Sequence, residues 1–175
     1  YEISACLVGS EMCIRDRPNV AEDYPHDLPA VDVAGYIARE KAEVYKSMIT
    51  EEDLVITADT VVVVDNEVLG KPVDANDARR MLHLISGRKH QVVTGVCLLS
   101  STDYHSFSVT TDVTFKQLSD EEINYYIEHF KPFDKAGAYG IQEWIGYVGV
   151  TSINGSYFNV MGLPVQRIWE EVHKL

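Results

Sequence analysis

The stretch Ile56–Val64, "ITADTVVVV", constrains this chain more than any other. Its β-branched residues are stiff at χ1 and favour extended backbone. With Leu54 and Val55 in front, the apolar run covers residues 54–64 with little polar alternation. A run of that kind is expected in a central strand covered on both faces, so the chain must build layers around it. Asp59 sits in its middle. A buried carboxylate without a partner is costly, so the fold has to supply something that makes Asp59 tolerable.

The flanking pattern gives the layers. A helix is expected over about 33–48, with Ile37, Val44, Tyr45 and Met48 on one face. "DNE" at 65–67 reads as a turn, and "VLGKP" as a short return strand. Asp74 caps a helix with Ala78, Met81, Leu82 and Ile85 inward, ended by Gly87. Strands follow at 90–100 and 106–118, the second alternating through Phe107, Val109, Thr111, Val113 and Phe115. Ser119 and Glu122 form a capping box before a helix burying Ile123, Tyr126, Ile127 and Phe130. "WIGYVGVTSI" (144–153) reads as a strand. Pro164 opens a last helix with Val165, Ile168, Trp169 and Val172 inward. Helices and strands interleave, so an α/β domain with a mixed, twisted central sheet and flanking helices is expected across residues 1–175.

Composition narrows the function. The net charge of −12 disfavours a nucleic-acid polymer or an anionic membrane surface as partner. No apolar run reaches the roughly 18 residues of a membrane span, and no secretory signal is visible, so a cytoplasmic setting is expected. Cys6, Cys13 and Cys97 contain no C-x-x-C pair and read as reduced thiols. The scattered histidines form no zinc motif. Walker A, dinucleotide-binding and G-x-S-x-G patterns are absent.

What remains is a carboxylate among lysines. A hairpin between Asp59 and Lys71 would bring Lys71 back towards Asp59, Lys41 lies on the preceding helix, and Lys135 lies on the Gly-rich loop "DKAGAYGIQ". Such a set can hold a metal–polyphosphate and activate water. The same residues also have plain structural readings. A strand Asp can be a hydrogen-bond acceptor, surface lysines mostly face solvent, and Tyr126 and Trp169 are core residues by spacing. Gly137, Gly140 and Gly146 permit turns, and Arg79 and Arg80 form a wet helix face. On the residues alone, the reading ends at an α/β enzyme candidate for an anionic substrate.

Five ordered blocks go further: "AREKA" (38–42), "ITADTVVVVDNEVLGKPVDANDARRML" (56–82), "LISGRKHQVVTGV" (84–96), "DKAGAYGIQ" (134–142) and "INGSYFNVMGLP" (153–164). Together they resemble the Maf family of nucleoside triphosphate pyrophosphatases, also described as septum formation inhibitors. The resemblance implies a two-lobed, Maf/ITPase-like architecture and a cytosolic, commonly dimeric enzyme. It also implies hydrolysis of a nucleoside triphosphate to the monophosphate and pyrophosphate with a divalent cation, Mg²⁺ or Mn²⁺. Asp59 matches the family's general base, and Lys41 and Lys71 its phosphate-binding lysines. Glu22 matches an acidic cleft residue and, with Asp59, the expected metal ligands. Thr60 and Gln142 match positions tied to substrate choice, and Lys135 is expected at the substrate. "ADT" paired with "GIQ" resembles the branch acting on dTTP and UTP.

The beginning departs from the family. Tyr1–Glu2–Ile3 resembles the family's second strand, so the opening strand and its Ser-x-Ser-Pro-Arg-Arg phosphate loop are expected to be missing. Residues 4–17 have no expected counterpart and resemble a stray translated fragment, and Arg15 and Arg17 do not stand for the absent pair. Weak or no turnover is the expectation without that loop. The alternatives are a non-catalytic nucleotide-binding regulator of cell division and a phosphatase releasing inorganic phosphate.

Overall fold

A computed structural model of the chain describes residues 22–175; the expectations for residues 1–3 and 4–17, and for Cys6 and Cys13, lie outside them. A 3-10 turn at Ala30–Asp32 leads into helix α1, Val33–Glu43. Strands β1 (Val55–Val64) and β2 (Glu67–Leu69) form a hairpin. Asp65 and Asn66 turn it with positive φ, a backbone these two residue types tolerate. Helix α2 (Ala75–Ile85) carries the expected cap: the Asp77 N–H donates to the Asp74 side chain at 2.8 Å. Gly87, at φ +69°, ends it as expected.

Strands β3 (Lys89–Leu99) and β4 (Tyr104–Phe115) follow, then α3 (Asp120–Phe130) behind the Ser119–Glu122 capping box. A 3-10 turn at Ala136–Ala138, α4 (Trp144–Gly149), β5 (Val150–Asn154), α5 (Tyr157–Val160) and α6 (Val165–Val172) complete the chain.

The sheet order is β2-β1-β3-β4-β5. Every pairing among the described residues is antiparallel, so the α/β layering expected from sequence is present without a parallel pair. The connection from β1 to β3 runs through β2 and α2 and brings β3 back in the opposite direction.

Strand alternation divides the core. Val61, Val63 and Val93 pack with Val33, Ala34 and Ile37 of α1, and Cys97 and Leu99 with Ala38 and Ala42 further along it. Val62, Val64, Val92, Val113 and Phe115 face α2 and α3 on the other side, and Val96 and Leu98 face Ile168 of α6. Both faces of β1 are therefore covered along Val61–Val64, as its continuous valines require.

The helix on the first face comes unusually close. A Cβ on Gly95 would lie 2.2 Å from the Gly35 nitrogen and 2.3 Å from the Ala34 carbonyl carbon. Gly95 pairs directly with Asp59 across β1 and β3.

Several local expectations change. α1 ends at Glu43, and Val44 and Met48 are exposed; Tyr45 packs inward as expected, joined by Ile49, against Cys97 and Leu99. "WIGYVGVTSI" divides into α4 and β5, because a short apolar run with small residues fits either period. Phe130 and Trp169 are exposed: Phe130, the last residue of α3, stacks on Tyr126, and Trp169 packs over His173 while its neighbours Ile168 and Val172 face β3.

One core residue titrates. His90 is buried, its Nε2 2.8 Å from the Tyr139 hydroxyl and its ring edge-on to Phe115 and Tyr139. Burial lowers its pKa from 6.5 to about 4. The unfolded chain thus binds more protons between those values, so stability is full above pH 6.5 and is lost as pH falls towards 4. The loss should approach about 3 kcal/mol. Urea unfolding of wild type and His90→Gln at about pH 7 and 4.5 checks this; an equal pH response in both would refute it.

Candidate functional site

Asp59 lies mid-strand on the α1 face of β1. Lys41, on the last turn of α1, donates to Asp59 Oδ1 at 2.6 Å and lies 3.3 Å from Glu22 Oε1. Lys71, just beyond β2, donates to the same Glu22 oxygen at 2.6 Å. The β1–β2 hairpin thus returns Lys71 to the cluster, and Glu22 bridges the two lysines. Asp59 and Lys41 are the inner pair, with side chains 10% and 19% exposed; Glu22 and Lys71 form the outer pair at 37% and 50%.

The electrostatics follow this layering. Burial lifts the Asp59 carboxyl above the usual carboxylate range; the Lys41 ammonium offsets that only in part, and Glu22 adds to it. Burial works against the charged Lys41, but Asp59 and then Glu22 raise its pKa overall. Burial of Glu22 is outweighed by Lys71 and Lys41, which hold it below its ordinary value. The outer ion pair, screened by water, contributes at most about 1 kcal/mol. Breaking the inner pair costs more than its formation yields, because one buried charge is left behind.

The cluster opens on a cleft of about 80 Å³, lined by Glu22, Tyr24, Ile37, Asp59, Thr60, Val61, Val68, Gly70 and Lys71. That is room for about three water-sized groups, the scale of a phosphate and its hydration. Thr60 alternates to the other face of β1 yet still borders the cleft.

Lys135 and Gln142 do not line the cleft. Lys135 pairs with Asp134 at 2.7 Å and lies 3.8 Å from Glu143. Their loop nevertheless docks beside the site: the Gly137 N–H donates to the Gly70 carbonyl at 3.0 Å, one residue before Lys71. A Cβ on Gly137 would lie 2.7 Å from Val62, so glycine permits this docking.

Tyr24, Ile37 and Val68 belong to the cleft without having been expected there. Ile37 was within reach, lying one helical turn before Lys41 on the same face. Tyr24 gave no such signal, in an irregular proline-containing loop.

Two carboxylates, Glu22 and Asp59, face one another across Lys41. No group of three or more His, Cys, Asp or Glu side chains able to hold a metal occurs among the described residues. Two carboxylates completed by substrate phosphates and water are a sufficient donor set for Mg²⁺. No helix of the described residues is long and apolar enough to cross a membrane.

Comparison with known proteins gives the family. A protein of Phocaeicola vulgatus named dTTP/UTP pyrophosphatase is 54% identical over 168 residues, covering 96% of this chain and 87% of its own. Proteins of the same name from Porphyromonas gingivalis and Flavobacterium johnsoniae are 54% and 47% identical, covering 89% and 87% of this chain and 79% and 78% of their own. The family described as Maf-like protein matches residues 7–175, a span that takes in much of the segment 4–17. With the ordered blocks, the sheet around Asp59 and these matches in hand, the chain belongs to the Maf family.

Proposed function

We infer that this protein is a nucleoside triphosphate pyrophosphatase acting on dTTP and UTP. The observation that carries the reading is the convergence of Asp59, Glu22 and Lys71 on one small cleft, with Lys41 bonded to Asp59 and Glu22 just outside its lining. The name shared by relatives about half identical to it supports the substrate class. A purely nucleotide-binding regulator is not favoured by relatives named as enzymes.

The reaction adds water to the α-phosphorus and breaks the bond to the bridging oxygen of the β-phosphate. Asp59 takes the water proton as the new P–O bond forms, and pyrophosphate leaves with the bridging oxygen. The raised pKa of Asp59 makes it a stronger base than an ordinary carboxylate, while Lys41 keeps it ionised and oriented. Lys71, held at the mouth by Glu22, can swing to a phosphate oxygen and offset its developing charge. Glu22 and Asp59 would hold a divalent cation, Mg²⁺ or Mn²⁺, together with the phosphates. When bound, such an ion neutralises phosphate charge and acidifies water. Gln142 and Lys135 reach the substrate in this reading only if their loop closes over the cleft from Gly70. A homodimer and a cytoplasmic setting complete the proposal.

The test is product analysis with dTTP, UTP, CTP, ATP and GTP in the presence of Mg²⁺ or Mn²⁺. Pyrophosphate and monophosphate, fastest from dTTP and UTP, are expected. Inorganic phosphate in place of pyrophosphate as the first product would overturn the reading.

A further inference from the structure

Thr60 is not alone behind the cleft. Its hydroxyl oxygen lies 2.8 Å from that of Thr94, its partner across β1 and β3. Thr94 is fully buried, and its hydroxyl donates to the Asn159 backbone carbonyl at 3.1 Å. Asn159 is itself fixed: its side-chain amide donates to the Val92 carbonyl at 3.1 Å and to the Thr111 hydroxyl at 3.0 Å. Its N–H donates to the Ser156 hydroxyl at 3.3 Å.

This chain of bonds has a direction. A threonine hydroxyl has one hydrogen, and a carbonyl has none to give. Both bonds are made together only when Thr94 gives its hydrogen to Asn159 and the Thr60 hydroxyl donates to Thr94. The lone pairs of Thr60 are then what it has left to offer the cleft. Thr60 is among the residues that line the cleft, and Gly162 borders its hydroxyl, where a Cβ would lie 3.5 Å away.

We propose that Thr94 is a positioning residue that fixes Thr60 as a hydrogen-bond acceptor, so that the site selects a donor on the nucleotide. The proposal rests on the reading of the protein as a dTTP/UTP pyrophosphatase. Thymidine and uridine nucleotides share two such donors, the imide N–H of the base and the 3′-hydroxyl of the sugar.

Thr94→Val keeps the shape of the buried side chain and removes only the hydroxyl. The Asn159 carbonyl is not orphaned, because the Gly162 N–H also donates to it at 2.9 Å. The variant frees Thr60 to turn its hydrogen towards the cleft. The expected loss in kcat/KM for UTP is about fivefold or more, the scale of one misdirected hydrogen bond, with Thr94→Ser close to wild type. If the donor is the imide, CTP, which carries an acceptor at the same ring position, escapes the loss. If it is the sugar, 3′-deoxy-UTP escapes it. Thr60→Val, which removes the acceptor itself, should reproduce the same selective pattern. Parallel losses with UTP, CTP and 3′-deoxy-UTP, or no loss with UTP, overturn the proposal. Calorimetric binding of the α,β-imido analogues gives the same comparison without turnover. Selective weakening there, together with release of inorganic phosphate rather than pyrophosphate from UTP itself, would sink the pyrophosphatase reading and leave this one standing; uniform binding would sink this one.

Discussion

Asp59→Asn is expected to lower kcat for pyrophosphate release by about 10²–10⁴-fold, the usual contribution of a positioned general base. Asparagine keeps the size of the side chain and an oxygen to accept from Lys41, whose ammonium is 2.6 Å away. It cannot take a proton from water. Lys41 keeps Glu22 as a charged partner at 3.3 Å, so the fold should persist, with a lower thermal midpoint, while turnover disappears. The pH profile gives an independent view. The base must be ionised, and burial has lifted its pKa above the ordinary value of 3.8, so activity should fall on the acid side earlier than for an exposed aspartate. Lys41→Met removes the main influence holding that pKa down and should move the acid limb further up, with a lower maximum. A variant Asp59→Asn retaining a tenth or more of wild-type kcat would remove Asp59 from the role of base.

Gly95→Ala is expected to be the most disruptive single methyl addition on the α1 face. The new carbon would lie 2.2 Å from the Gly35 nitrogen and within 2.4 Å of its Cα, so a helix backbone rather than a pliable side chain has to move. Overpacking commonly costs about 1–3 kcal/mol, and a backbone clash of this kind belongs at or above the upper end. Urea unfolding should show at least about 3 kcal/mol of lost stability. Because Gly95 sits opposite Asp59, the displaced helix would also carry Lys41 away from its carboxylate. The protein that still folds should show a lower kcat/KM, and a near-wild-type stability would contradict the close approach of α1.

How much of this was legible in the sequence depended on how local each signal was. The β1 strand, the Asp74 cap and the Ser119–Glu122 capping box are written in adjacent residues, and the structure has all of them. The end of α1, the division of residues 144–153 and the exposure of Phe130 and Trp169 were not readable. Each depends on which face of a helix meets the core and where the helix stops, which periodicity does not state. The site divides in the same way. Asp59, Lys41 and Lys71 were named through ordered blocks and a short hairpin, Glu22 through the family resemblance alone, and they meet. Thr94 and Gly95 were missed because their importance comes from strand register, pairing residues more than thirty positions apart. Lys135 and Gln142 were grouped with the site by resemblance, and they stand one loop away from its lining.

The contact of Gly35 with Gly95 divides the labour of recognition inside this cleft. With helix backbone resting on strand, the inner pair of Asp59 and Lys41 is held between two closely packed elements, and in the proposed function nucleotides would meet it as a fixed template. Glu22 and Lys71, on a loop and a turn, are the compliant half. Differences in chain length, charge state or counter-ion among ligands must then be absorbed at the mouth. Selection at this site should work as a gauge with one fixed jaw and one moving jaw.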